Sequence, residues 1–232
     1  MGARQESAGS LMGRSPFDPG FAELPRTLPI FPLPGVLLLP GGRLPLNIFE
    51  PRYLAMTRAA LAGQRLIGMV QPRDAEAPGM QPEVQKVGCA GRIVSFAETD
   101  DGRYLITLAG LCRFGIMGEL PLEEGFRKVV PDWAPYAADL EPAATSVDRS
   151  RLIGALRAFF ADQPVRIDWK AIEETADDRL IVSLAMLCPF EAAEKQILLE
   201  AASPSERARV MIALLESAAL SRSEGDGPQV RH

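Results

Sequence analysis

Histidine is all but absent from this 232-residue chain, and the single copy is the last residue, His232. A HExxH metal site is therefore excluded, and Ser/His/Asp or Cys/His catalysis has no internal imidazole to work with. Lysine is nearly as scarce, confined to Lys86, Lys128, Lys170 and Lys195. None follows a glycine, so there is no Walker A loop, in which flexible backbone closes around phosphate and a lysine neutralises it. Nor does any lysine stand in a context that supports a serine–lysine nucleophile. The three cysteines, Cys89, Cys112 and Cys188, are far apart and odd in number, which argues against both a disulfide framework and a structural zinc site. No apolar run approaches the roughly 20 residues of a membrane span. No catalytic residue, cofactor site or metal site is expected, and the thiols read as buried groups in a reducing cytoplasm.

What the chain does contain is apolar residues, 47% of the total, enough for a substantial core. Net charge is −5 and the isoelectric point about 5.1, so the average surface repels phosphate. With only 6% aromatic residues as well, nucleic acid is an unfavoured partner. The first residues lack the apolar stretch of a signal peptide, and Glu6 breaks the myristoylation pattern. Residues 1–23 are expected to form a disordered leader.

Residues 24–135 carry strand signals. Thr27–Leu33 and Arg43–Phe49 are short extended segments punctuated by proline, which confines them to edges, bends or strand ends. Pro51 opens a helix that runs to Ala62, with Gly63 as its stop. Arg65–Gln71 reads as a buried strand, and Val87–Thr99 with Arg103–Gly118 as a long hairpin turning at Asp100-Asp101-Gly102. Glycines at 88, 91, 110, 115 and 118 suit bulges and corners, as in a small closed barrel. Arg127–Trp133 supplies a last strand, and 136–145 reads as an alanine- and proline-rich linker. From residue 146 to 220 the apolar period changes to that of helices, with Ser146 as an expected N-cap and Ser203-Pro204-Ser205-Glu206 as a capping box before the last helix. Residues 221–232 are polar and expected to be a disordered tail.

The stretch from Leu28 to Tyr53, LPIFPLPGVLLLPGGRLPLNIFEPRY, resembles the opening of the Lon N-terminal domain family, the substrate-recognition module of Lon-type ATP-dependent proteases. Asp178-Arg179-Leu180 to Ala185, then Glu194-Lys195-Gln196-Ile197-Leu198-Leu199-Glu200, and finally Glu206-Arg207 resemble the same family in the same order. The resemblance covers about residues 24–220 and implies an α+β fold: a PUA-like β-barrel lobe followed by a C-terminal α-helical bundle. It implies a free-standing, non-catalytic protein-binding module that recognises unfolded or exposed apolar polypeptide segments, as an adaptor or holding factor linked to a separate ATP-dependent protease. An RNA-binding PUA-like protein is the alternative, and it requires a basic, aromatic-lined face, such as a cluster of arginines among Arg92, Arg103, Arg113 and Arg127 on one side of the barrel.

Among individual residues, Val36, Leu37, Leu38 and Leu39 read either as a core strand or as an apolar loop that binds polypeptide. The family-motif residues Asn47, Glu50, Pro51, Arg52, Tyr53, Lys195 and Gln196 read as structural, with Glu50 and Arg52 fixing a helix start. The acidic pairs Glu123-Glu124 and Asp177-Asp178 read as solvated or helix-terminal charge, because sequence neighbours do not face one another.

Overall fold

A computed structural model of the chain describes residues 15–74, 81–161, 163 and 167–225. Strands β1 (Leu28–Pro32) and β2 (Arg43–Ile48) precede helix α1 (Pro51–Ala62). Strands β3 (Leu66–Val70), β4 (Val87–Glu98), β5 (Tyr104–Glu123) and β6 (Phe126–Asp132) follow. A 3-10 turn at Ala134–Leu140 leads to helices α2 (Arg149–Phe160), α3 (Trp169–Glu174), α4 (Asp177–Leu187), α5 (Ala192–Glu200) and α6 (Pro204–Gly225). The fold is α+β, with a six-stranded mixed sheet in the order β2-β5-β4-β3-β1-β6. Among the described residues only the β1–β3 pairing is parallel.

β5 organises the sheet because of its length. It pairs β2 and β4 along its first half and β6 along its second, so β5–β4–β3–β1–β6–β5 forms a circuit of pairings. Register shifts at Ala90/Gly91, Ile93/Ser95, Ile116/Gly118 and Leu120/Glu123 give the strands the bends such a circuit needs. β5 does not end near Gly118 as its glycines suggest. It continues to Glu123 and returns through Glu124 and Gly125, whose φ angles are 46° and 82°. Pro121 sits inside the last register shift, where no ladder bond is demanded of it. The prolines of β1 are placed by the same rule: Pro29 faces Lys128 before the β3 pairing begins at Ile30, and Pro32 is the final residue.

Two apolar clusters fill the molecule. One draws Leu28, Ile30, Leu66, Ala90, Phe114 and Val129 from the five strands of the circuit. The other joins the outer side of the sheet to the helices, bringing Ile48, Met56, Ile106 and Leu108 together with Leu152, Leu156, Leu180, Leu199 and Met211. α6 packs against α2, α4 and α5.

Local capping departs from expectation in one place. Asp148, not Ser146, caps α2: its carboxylate accepts from the Arg151 N–H at 3.0 Å, while the Ser146 N–H donates to Ser205 Oγ at 2.9 Å. An ionised acceptor at the N-terminus is a stronger cap than a hydroxyl three residues before the helix begins. α6 starts as its capping sequence predicts, with Ser203 Oγ accepting from the Glu206 N–H at 3.1 Å. It ends at Gly225, beyond the point where the tail turns polar. In the segment read as leader, Phe21–Glu23 forms a 3-10 turn and Asp18 pairs with Arg92 at 2.6 Å. No helix among the described residues is long and apolar enough to cross a membrane.

Candidate polypeptide-binding surface

Val36 to Leu39 adopt neither of the two forms their sequence suggests. They make no strand, and Leu37, Leu38 and Leu39 are 3%, 1% and 0% exposed, with Val36 half-buried. The segment is irregular backbone laid against the sheet. Just after it, Gly41 N–H donates to Gly110 O, and Gly110 N–H to Gly42 O, both at 2.9 Å, which fixes the end of the segment to β5 although no strand forms. The close approach depends on Gly110, where a Cβ would stand 2.0 Å from the Leu39 carbonyl oxygen, and on Gly91, where it would stand 2.7 Å from Leu38 Cδ2. These leucines belong to the core and cannot meet a partner without unfolding.

Apolar surface is exposed instead at the far end of β2, β5 and β4. Asn47 of β2 stands opposite Leu105 of β5, which stands opposite Ala97 of β4. By strand alternation these three share a face with Phe49, just past β2. Phe49 and Leu105 are 60% and 47% exposed. The Arg103 guanidinium lies 5.8 Å from the Phe49 ring centre. On the opposite face, Phe96 is 39% exposed and contacts the Tyr104 ring at 5.0 Å. Among the described residues β2 has β5 as its one neighbour, so its other edge is free, with Pro45 interrupting its row of N–H donors.

The motif residues occupy connecting positions. Pro51 is the first residue of α1. Arg52 pairs with the partly exposed Glu50 at 2.8 Å and lies 4.5 Å from the Tyr53 ring centre. Tyr53 is buried against Phe31, with ring centres 4.1 Å apart. Lys195 Nζ donates to Gly35 O at 2.7 Å, holding α5 to the loop ahead of Val36. Gln196 Nε2 donates to Glu200 Oε1 at 2.6 Å and to Val87 O at 3.2 Å, and its carbonyl accepts from Gln71 Nε2 at 3.2 Å. Lys195 and Gln196 thus tie the helices to the sheet. Of the two acidic pairs, Glu123 bonds Lys128 at 2.7 Å and Asp177 pairs with Arg149.

A cavity of about 720 Å³ opens between sheet and helices, lined by residues of β4, β5, α4 and the start of α6 and by the 138–145 segment. Its principal charged groups include Arg113, which the sequence suggests only for a basic face, and Arg207, which the sequence marks only as part of a helix-opening motif. Arg113 is 5% exposed and bonds Asp139 through Nε and Nη2, each at 2.8 Å. Its Nη1 donates to the carbonyls of Leu199 at 3.1 Å and Ala201 at 2.7 Å. Burial opposes the Arg113 charge, but the Asp139 carboxylate more than offsets it and raises the pKa. Asp139 lies in the segment read as linker; nothing in an Ala-Ala-Asp-Leu run marks it as the counter-ion of an arginine 26 residues earlier.

Arg207, 3% exposed, donates from Nε to Leu198 O at 2.8 Å. Burial, reinforced by the like charge of Arg113, lowers its pKa to about 10, against an opposing pull from Asp139. The arginines that would build a basic face are instead separately neutralised: Arg92 by Asp18, Arg103 by Asp101, Arg113 by Asp139 and Arg127 by Glu119. Glu50 does not line the cavity.

The model of the ATP-dependent protease La (LON) substrate-binding domain matches residues 27–217. Lon protease 2 of Myxococcus xanthus is 26% identical over 220 residues, covering 91% of this chain and 26% of that protein. The Lon protease of Anaeromyxobacter dehalogenans is 27% identical over 199 residues, covering 83% of this chain and 23% of its own length. The chain thus spans about a quarter of the length of these relatives. Among solved structures, a Lon N-terminal domain protein from Xanthomonas campestris aligns with a TM-score of 0.58 at 23% identity, over 81% of this chain and 97% of that one. The N-terminal domain of the Mycobacterium avium complex Lon protease aligns with a TM-score of 0.56 at 18% identity, over 82% and 97%. At these identities the structural likeness concerns the fold.

Proposed function

This chain belongs to the ATP-dependent protease La (LON) substrate-binding domain family, and from that premise we propose that it is a non-catalytic module binding polypeptide segments exposed by unfolding. The observation that carries this reading is the pairing of a free strand edge on β2 with the exposed side chains of Phe49 and Leu105 beside it. An extended segment adding along that edge gains main-chain hydrogen bonds from β2 and apolar contact from the two side chains, a mode that tolerates many sequences. Pro45 limits the hydrogen bonds on offer, which favours weak and reversible capture.

The circuit of strands is read here as the PUA-like barrel and α2–α6 as the accompanying helical bundle, with the β2 edge outside the circuit and left for a partner. In the cytoplasm such a module would serve as an adaptor or holding factor for a separate ATP-dependent protease.

The test is fluorescence anisotropy of a reduced, carboxymethylated and therefore permanently unfolded protein titrated with this chain, against the same protein in its folded form. Selective binding of the unfolded form, weakened about tenfold or more in a Phe49→Ser/Leu105→Thr variant, is expected. Both side chains are exposed, so the variant should keep its stability. Unchanged affinity in the variant would remove the β2 surface from the proposal, and salt-sensitive retention of nucleic acid in place of protein would overturn it.

A further inference from the structure

The cavity between sheet and helices contains a buried cation with spare donors. Three arginines are buried among the described residues: Arg113, Arg127 and Arg207. Arg113 and Arg127 each have a carboxylate, Asp139 and Glu119 respectively. Arg207 has none. Its Nε is committed to Leu198 O, and among the described residues its two Nη groups have no hydrogen-bond partner although the side chain is 3% exposed and lines the cavity. Thr145 is a second, independent sign: its Oγ1 is buried without any hydrogen-bond partner, and the residue lines the same cavity. A buried hydroxyl without a partner is costly, and a guanidinium with two uncommitted nitrogens lining the same cavity offers donors to an acceptor group that enters it. The first turn of α6, capped by Ser203, also lines the cavity and adds the positive end of a 22-residue helix.

We propose that this cavity is a carboxylate site, in which Arg207, Thr145 and the start of α6 hold the C-terminal carboxylate of a bound polypeptide. The choice of anion follows from charge. Arg43, Arg92, Arg113 and Arg207 line the cavity together with Asp18, Asp139, Glu141 and Asp178, a balance that disfavours phosphate or a polyanion. The Arg207 guanidinium, without an ion pair of its own, suits a single negative charge. The remaining wall includes Val94, Leu111, Ile181 and Val182, which suit an apolar last side chain. At neutral pH Arg207 retains its charge, because its lowered pKa remains at about 10. The assignment to a polypeptide terminus, as opposed to a small carboxylic acid, rests on the function proposed above.

Calorimetric titration of the full chain decides the matter with two acetylated hexapeptides ending in leucine, one with a free C-terminal carboxylate and one amidated, with N-acetyl-leucine and inorganic phosphate as competitors. The free acid is expected to bind about tenfold or more tightly than the amide, as for a hydrogen-bonded charge. That preference should vanish in Arg207→Gln and shrink several-fold in Thr145→Val, which removes a hydroxyl that supports nothing in the fold. Thr145→Val therefore keeps the test valid if Arg207→Gln fails to fold. Equal binding of acid and amide, or binding of neither, overturns the proposal. Stronger competition by phosphate than by N-acetyl-leucine overturns it in favour of a general anion site. N-acetyl-leucine matching the hexapeptide assigns the site to small carboxylic acids and overturns the terminus. The unfolded-protein titration run in parallel separates the two readings: loss of the acid preference with unfolded protein still bound sinks only the carboxylate site, and the converse sinks only the β2 surface.

Discussion

Cys188 shows how burial converts an unremarkable residue into a determinant of stability. Its thiol, 3% exposed behind the end of α4, is pushed by burial from 9.0 up to about 11. The unfolded chain releases this proton near pH 9 and the folded chain only near pH 11. Below pH 9 both states hold it and the stability is fully present; between pH 9 and 11 the unfolded state alone ionises, and stability falls. Cys89, fully enclosed, shifts in the same direction and adds to the trend. Urea unfolding at pH 8 and pH 10 should show this loss, with a shallower dependence in Cys188→Ala, since alanine has no proton to release. An unchanged slope would mean that the folded thiol ionises as readily as the free one. The same cost of burial explains why Arg113 is held by four acceptor atoms, and why Arg207, held by one, stands out.

Among the elements, the irregular segment from Val36 to Gly42 does most to join the parts of the fold. Its leucines fill the shared cluster, Lys195 reaches to Gly35 immediately before it, and its backbone rests on Gly110. Gly110→Ala places a methyl group 2.0 Å from the Leu39 carbonyl oxygen, and because a methyl fixed by the backbone meets a backbone atom, no rotamer change relieves the contact. A loss of roughly 3 kcal/mol or more is expected in denaturant melts. Gly118→Ala, in the same strand but with nothing within 4 Å of its added carbon, should be close to neutral. Similar stability in the two variants would show that the segment can lift away from the sheet at little cost.

At the scale of the whole molecule, the larger apolar cluster belongs to sheet and helices together, and the Arg113, Lys195 and Gln196 hydrogen bonds cross the same boundary. Neither part buries its apolar side without the other, so unfolding should be one cooperative event. The two tryptophans provide the measurement. Trp133 lies just after β6, bonded to Pro25 O at 2.9 Å and packed on Phe114, whereas Trp169 begins α3, with Arg157 4.9 Å from its ring centre. Urea transitions of single-tryptophan variants, Trp133→Phe and Trp169→Phe, are expected to coincide with each other and with the loss of helical signal. A gap between the midpoints would show that sheet and helices unfold separately.

Local chemistry was legible in the amino-acid sequence. Pro51 and Gly63 mark the ends of α1, Asp100-Asp101-Gly102 the turn between β4 and β5, and Ser203 to Glu206 the start of α6, because each depends on residues within one turn of chain. The family was legible too, since its motifs lie in order along most of the chain. Everything that depends on distant partners was decided by the tertiary structure. Whether Val36 to Leu39 formed a strand, a loop or a core segment depended on glycines about 50 to 75 residues away. Asp139 found Arg113 across 26 positions, and Arg207 was left without a counter-ion by where the sheet and helices met. Exposure, pairing and charge compensation are properties of assembled surfaces, and a free strand edge beside Phe49 or an incomplete cation in a cavity exists only once the elements have packed.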